Sequence, residues 1–179
     1  MNIYNVRRAS QGVAEYVLKE GKDAASAGVL IGYDTRNFSR VFAEETARVL
    51  CANGITVYLF SKVHSVPEVS FGIRELGCAA GVLITASHNP KEYNGYKVYG
   101  PDGGQLPPEA ASVVIDAINN CDVFDGVRLT ELKDAENAGL LIIPGEELDE
   151  KFITTVMKQQ INPEAVYEVA DTMKLVYTP

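Results

Sequence analysis

Three short apolar runs constrain this chain more than anything else in it: Val29-Leu-Ile-Gly-Tyr33, the 55–60 segment, and Gly81-Val-Leu-Ile-Thr-Ala86. Each has the length of a buried strand. Two stretches of helical character separate them. Residues 39–53 put Val41, Phe42, Val49 and Leu50 on one inward face, and Asn53-Gly54 stops the pattern. Ser65-Val-Pro67-Glu68 then reads as a helix start, with a cap, an early proline and an acid in the first turn. Val69, Ile73 and Leu76 form its buried face, and Gly77 closes it. Strand, helix, strand, helix, strand predicts a parallel sheet with helices on both faces.

The flanks extend this plan. Val6, Ala9, Val13, Tyr16 and Val17 recur at helical spacing, so residues 5–20 read as an amphipathic helix ended by Gly21. After the Asn94-Gly95 turn, Tyr96–Tyr99 reads as a further strand. The connection into it is too short for a crossover helix, so this strand is expected to run antiparallel. Pro107-Pro108-Glu109 opens a helix that reaches about residue 119. The expected fold is therefore α/β: a three-layer αβα domain with a mainly parallel, mixed sheet whose last strand is antiparallel.

Beyond residue 120 the pattern weakens. Residues 121–139 are polar and irregular, and 140–143 read as a short strand. Residues 146–160 read as a helix with Leu148, Phe152, Ile153 and Val156 on one side, broken by Asn162-Pro163. Lys174-Leu-Val-Tyr-Thr-Pro179 is an apolar, strand-like run. The domain division expected is 1–160, followed by a linker and strand over 161–179.

Composition excludes several classes. A net charge of −8 argues against a dedicated nucleic-acid surface, which would be basic. No run of about 18 apolar residues is present, so no membrane span is expected. The first eight residues lack the apolar core of a signal peptide. Cys51, Cys78 and Cys121 are scattered and form no CxxC pair, and His64 and His88 are the only histidines, so the spacing argues against a structural zinc site. Reduced thiols and a cytoplasmic location are the expectation.

Chemistry concentrates where the third run ends. Ser87-His88-Asn89-Pro90 is a turn, because proline pushes the residue before it out of the helical region. In open α/β sheets, ligands bind outside the carboxyl ends of the strands. A hydroxyl (Ser87), an imidazole (His88) and an amine (Lys97) thus come from one short segment. Asp34-Thr-Arg36 ends the first run and would share that rim. Two readings of it stand. Arginine's planar fork suits phosphate; equally, Asp34 caps the next helix while Arg36 pairs with an acid. Likewise Ser87 and Asn89 are ordinary turn formers, and Tyr93, Tyr96 and Tyr99 read as packing residues.

Taken together, Thr85-Ala-Ser-His-Asn-Pro90 followed by Tyr93-Asn-Gly-Tyr-Lys97 resembles the phosphoserine loop of the α-D-phosphohexomutase superfamily, which includes phosphoglucomutases and phosphomannomutases. The resemblance implies that Ser87 carries a phosphoryl group between two hydroxyls of a sugar. It implies catalytic roles for His88 and Lys97, and phosphate or substrate contacts for Arg36, Asn89 and Asn94. It implies Mg2+, bound to Ser87 through its phosphate and otherwise by a second domain. The implied partners are a phosphosugar and three further domains of the same chain. Leu175-Val-Tyr-Thr-Pro179 looks like the strand that opens the second of these, so the sequence resembles the first domain plus that strand.

The pattern departs from the family in places. No Asp-Gly-Asp-x-Asp-Arg string is present, and no glycine- and arginine-containing loop precedes the first helix. The 179-residue polypeptide alone is therefore expected to be inactive and to bind no Mg2+. The substrate reading is phosphoglucomutase-like, with phosphomannomutase and phosphopentomutase as alternatives. From other classes, a non-catalytic phosphate-binding module remains. A serine hydrolase lacks the G-x-S-x-G elbow, and a dinucleotide-binding unit lacks G-x-G-x-x-G.

Overall fold

The computed structural model describes residues 1–177. The chain divides into two compact units, Met1–Gly145 and Glu146–Pro179.

The first unit is built on a five-stranded sheet. Its strands are β1 (Val29–Tyr33), β2 (Val57–Leu59), β3 (Ala80–Ile84), β4 (Tyr96–Tyr99) and β5 (Leu141–Ile142), in the order β4-β3-β1-β2-β5. β1 runs parallel to β2 and β3, and β2 parallel to β5. Only β4 is antiparallel, paired with β3 from Ile84–Tyr96 to Gly81–Tyr99. The short connection forces this arrangement, as the turn chemistry predicts.

Helices cover both faces. α1 (Ile3–Lys19) and α3 (Ser39–Ala52) lie on one, and their Val13, Val17, Ala43, Ala47 and Leu50 pack with Val29, Ile31, Val82 and Ile84. α5 (Pro108–Asn120) adds Val114 to the same cluster. Side chains alternate across a strand, so Gly32 and Gly81 face the other way, toward α4 (Val66–Glu75). A Cβ on Gly32 would overlap Val69, and one on Gly81 would overlap Ile73. Two glycines thus let α4 sit directly on β1 and β3. The Glu68 carboxylate accepts from the Ser65 N–H at 3.4 Å, which supports the start of α4.

Several expectations need correction. Val41 is exposed, whereas Phe42, Val49 and Leu50 are buried. Two six-residue helices, α2 (Lys22–Ala27) and α6 (Leu132–Asn137), occupy stretches without helical signal. Tyr93 is exposed rather than packed.

The second unit contains α7 (Glu146–Met157) and α8 (Pro163–Val169). Ile153 and Val156 are exposed, not part of a buried face. α7 ends at Met157, before the expected break at Asn162-Pro163; Pro163 instead starts α8, at whose first turn its missing N–H costs nothing. Residues 174–177 form no strand, contrary to expectation, and Thr178 and Pro179 lie outside the described residues.

An ion-pair network ties the first unit together. Glu45 on α3 accepts from Arg7 on α1 and, at 2.7 Å, from Arg48, whose other nitrogen reaches Glu131 at 2.6 Å. Burial pushes the Glu45 carboxyl up, but the hydrogen bonds from Arg7 and Arg48 outweigh it and hold the group below the ordinary glutamate value. A depressed folded value means stability that is present above the ordinary value and lost as pH falls through the lowered one. Denaturant midpoints measured down the acid range should therefore fall less steeply for Glu45→Gln than for the parent. Identical slopes would rule this contribution out.

Candidate active site at the carboxyl ends of β1 and β3

β1 and β3 are in register to their ends, with Tyr33 opposite Ile84. The Asp34 N–H continues the ladder by donating to the Ile84 carbonyl at 3.2 Å. The loops that leave the two strands, residues 34–38 and 85–95, are therefore neighbours on one rim.

Arg36 joins them. Its Nε donates to Asp34 Oδ2 at 2.9 Å. Its Nη1 donates to the carbonyls of Asn89 (2.5 Å), Pro90 (2.7 Å) and Tyr93 (3.4 Å), and its Nη2 to the carbonyl of Ser87. The Asn37 N–H adds a bond to the Lys91 carbonyl at 3.1 Å. Asp34 also accepts from its own loop, from Ser39 Oγ at 2.8 Å and the Arg36 N–H at 3.0 Å. The guanidinium thus sits inside the 87–93 loop, spent on backbone carbonyls, with its side chain only 9% exposed. Of the two sequence readings, this is the pairing of Arg36 with an acid, extended into a clamp.

Ser87 stands at the tip of that loop. Its φ is 57°, in the left-handed region where a serine is uncommon. Its N–H is held by Thr85 Oγ1 at 3.1 Å, and Asn89 caps the turn through Nδ2 to the Ala86 carbonyl at 3.0 Å. Ser87 is exposed, and Lys97 Nζ lies 2.8 Å from its Oγ. Lys97 reaches it from β4, where it pairs with Leu83. The approach of β4 depends on Gly95, since a Cβ there would meet the Thr85 carbonyl oxygen at 2.6 Å.

The remaining candidates fall in different places. Asn94 points inward, donating to the Asn37 carbonyl at 3.1 Å and to Ser39 Oγ at 3.0 Å, so it ties the two loops together. His88 is exposed next to Ser87. An open cavity of about 410 Å³ adjoins the serine, lined by Asp34, Arg36, Ser87, Asn89 and Lys91 on one side and by His64, Ser65 and Val66 on the other. His64 had drawn no role from sequence. It stacks on Phe60 with ring centroids 3.7 Å apart, and its Nδ1 lies 2.8 Å from the Lys62 carbonyl. The available signal was its position just before the Ser65 cap, at the end of the β2 segment. Arg36, Lys91 and Lys97 bring three positive charges to this rim against two negative ones, Asp34 and Glu92, in a chain of net charge −8. Such a local inversion attracts anions.

Residues 1–123 match the family model described as the alpha/beta/alpha domain I of phosphoglucomutase/phosphomannomutase. The chain belongs to the phosphoglucomutase/phosphomannomutase family. Among curated relatives, the phosphoglucomutase of Staphylococcus saprophyticus is 44% identical over 122 residues, covering 68% of this chain and 22% of the relative. The probable phosphoribomutase of Schizosaccharomyces pombe is 49% identical over 108 residues, covering 60% and 18%. The chain spans about a fifth of the length of these relatives. Among solved structures, a putative phosphomannomutase from Thermus thermophilus superposes with a TM-score of 0.62 at 27% identity, over 75% of this chain and 30% of that one. A phosphoglucomutase/phosphomannomutase family protein from Burkholderia thailandensis covers 99% of this chain and 33% of its own at a TM-score of 0.57; at 15% identity it supports the family fold alone.

Proposed function

We propose that this chain is the phosphoryl-carrying domain of a phosphosugar mutase, with Ser87 as the carrier. The observation that supports this most directly is the 2.8 Å approach of Lys97 Nζ to Ser87 Oγ on an exposed, anion-attracting rim. A phosphoserine passes its phosphoryl group to one sugar hydroxyl: the Oγ–P bond breaks as the new O–P bond forms. The other phosphoryl group of the resulting bisphosphate then returns to Ser87. Splitting the isomerisation this way is covalent catalysis.

The roles follow from position. The Lys97 ammonium stabilises the charge that develops on Ser87 Oγ as the phosphoryl group leaves, and supplies a proton to it. His88, exposed beside the serine, is the group available to take the proton of the incoming hydroxyl. Arg36, Asn89 and Asn94 act by holding the loop, and the charge of Arg36 beneath it favours a dianion above.

A bound Mg2+ would neutralise phosphoryl oxygens. Ser87 would contribute to it through its phosphate. The one carboxylate among the described residues lining the cavity, Asp34, is already engaged by Arg36 and Ser39. The resemblance assigns the rest of the metal shell, like the sugar, to the further three domains of the family's architecture. The substrate class is a hexose phosphate of the phosphoglucomutase type; phosphomannose and phosphopentose are the alternatives. A cytoplasmic setting fits such a metabolic reaction, and no helix among the described residues is long and apolar enough to cross a membrane.

The test is peptide mass analysis of the protein made with its following domains. Phosphate should be found on Ser87 at rest, and Ser87→Ala should abolish both the phosphate and mutase turnover. Phosphate confined to other serines would overturn the assignment. The 179-residue polypeptide alone should not convert glucose 1-phosphate to glucose 6-phosphate.

A further inference from the structure

A chain of buried hydroxyls lies behind the strand that carries Lys97. Tyr96 precedes that lysine and points to the opposite face of the sheet. Its OH lies 3.0 Å from Ser10 Oγ on α1. Ser10 Oγ lies 2.8 Å from the Val6 carbonyl and 3.1 Å from Thr46 Oγ1 on α3, and Thr46 donates to the Phe42 carbonyl at 2.9 Å. Ser10 and Thr46 are fully buried. The protons run one way: Tyr96 donates to Ser10, Ser10 to Val6 with Thr46 close by, Thr46 to Phe42. Every hydroxyl is satisfied, which a buried polar network requires. Burial pushes the Tyr96 phenol up to about 12, so it remains a donor at any working pH.

Geometry explains why such a chain stands here. β4 is the edge of the sheet and is four residues long. It has one strand partner, β3; among the described residues its outer side meets only residues 105 and 106, through the Tyr99–Gln105 bridge and the Leu106 N–H donating to the Val98 carbonyl at 3.0 Å, and its near end is tied by the Thr85 N–H to the Gly95 carbonyl at 3.1 Å. Edge pairing of this length fixes the register but leaves few ladder bonds to resist a tilt of the strand. A tilt of β4 shifts the base from which Lys97 Nζ reaches Ser87 Oγ. The hydroxyl chain anchors the near end of β4 to α1 and α3 together. The N-terminus of α3 also supplies Ser39, which holds Asp34 and Asn94 beneath the serine loop. The amine and the hydroxyl are thereby referred to the same helix.

We infer that Tyr96, through Ser10 and Thr46, is a positioning residue that sets the reach of Lys97 to Ser87. This rests on the reading of Lys97 as the partner of Ser87, and the test reads the amine itself rather than phosphoryl transfer.

The test compares acylation of Lys97 by a small amine-reactive reagent with that of Lys22, an exposed lysine on α2, by peptide mass analysis. Tyr96→Phe keeps the ring and removes the hydroxyl. The Lys97/Lys22 labelling ratio should rise about fivefold, the factor for loss of one hydrogen bond. Thr46→Val, one link further away, should give a smaller rise. Val57→Ala in β2 serves as a control that lowers stability without touching the chain, and should leave the ratio unchanged. An unchanged ratio in folded Tyr96→Phe overturns the proposal, as does an equal rise in the Val57 control. Should Tyr96→Phe not fold, Ser10→Ala and Thr46→Val decide by the same criterion. A raised ratio in a protein whose Ser87 is never phosphorylated would leave the positioning intact and remove the mutase reading.

Discussion

Arg36→Ala should destabilise the first unit by about 3 kcal/mol and free the serine loop. The side chain is 9% exposed and donates to Asp34 and to four loop carbonyls. A hydrogen bond from a charged group contributes about 1.5–3 kcal/mol net, and breaking a buried pair costs about 3–5 kcal/mol. The low end applies here. Asp34 remains partly exposed and keeps its bond from Ser39, and the orphaned carbonyls sit in a surface loop that water can reach. Arg36→Lys should recover little, because one ammonium cannot reproduce a fork spread over several acceptors. Denaturant unfolding gives the energy. Hydrogen exchange at the Asn37 and Tyr93 amides, both bonded within the clasp, reports the loop. Parental stability with unchanged exchange at these two amides would show that the clamp holds nothing.

Gly81→Val should be costlier still, above about 3 kcal/mol. Its Cβ would lie 2.7 Å from Ile73 Cγ1 and overlap Ile73 Cδ1. Ile73 lies on the buried face of α4 and is fully buried. Overpacking a close-packed core usually costs about 1–3 kcal/mol, and valine adds two methyls beyond the offending Cβ. α4 would have to lift from both β1 and β3, since it rests on Gly32 as well. Gly81→Ala should cost less, and combining it with Ile73→Val should restore part of the loss, because the two residues touch. Additive energies in that double mutant would refute the packing account. Lifting α4 would also displace Ser65 and Val66 from the cavity wall.

Much of this was readable beforehand, for identifiable reasons. Runs bounded by turn residues located β1, β3 and β4, and the brevity of the 85–95 connection dictated the direction of β4. The strand-end rule put Asp34 and Ser87 on one rim, which the Tyr33–Ile84 pairing bears out. What stayed hidden depends on tertiary contacts. α2 and α6 are six residues each, too short for a periodic signal to rise above composition. Apolar character at 174–177 resembles a strand, but a strand exists only with a partner to bond. Arg36 was recognised as important, yet its sequence cannot say whether a guanidinium faces a ligand or its own loop. Asn94 likewise turns inward to Ser39 rather than toward the cavity.

The left-handed backbone at Ser87 has one more implication. Such a conformation costs an L-residue about 1–2 kcal/mol, which glycine would not incur. Fold stability on its own would therefore favour a residue with no side chain at this tip. On the proposed reading of Ser87 as the carrier, keeping an oxygen there sets chemistry against thermodynamics at one position, with Arg36, Thr85 and Asn89 all bonding the turn that holds it.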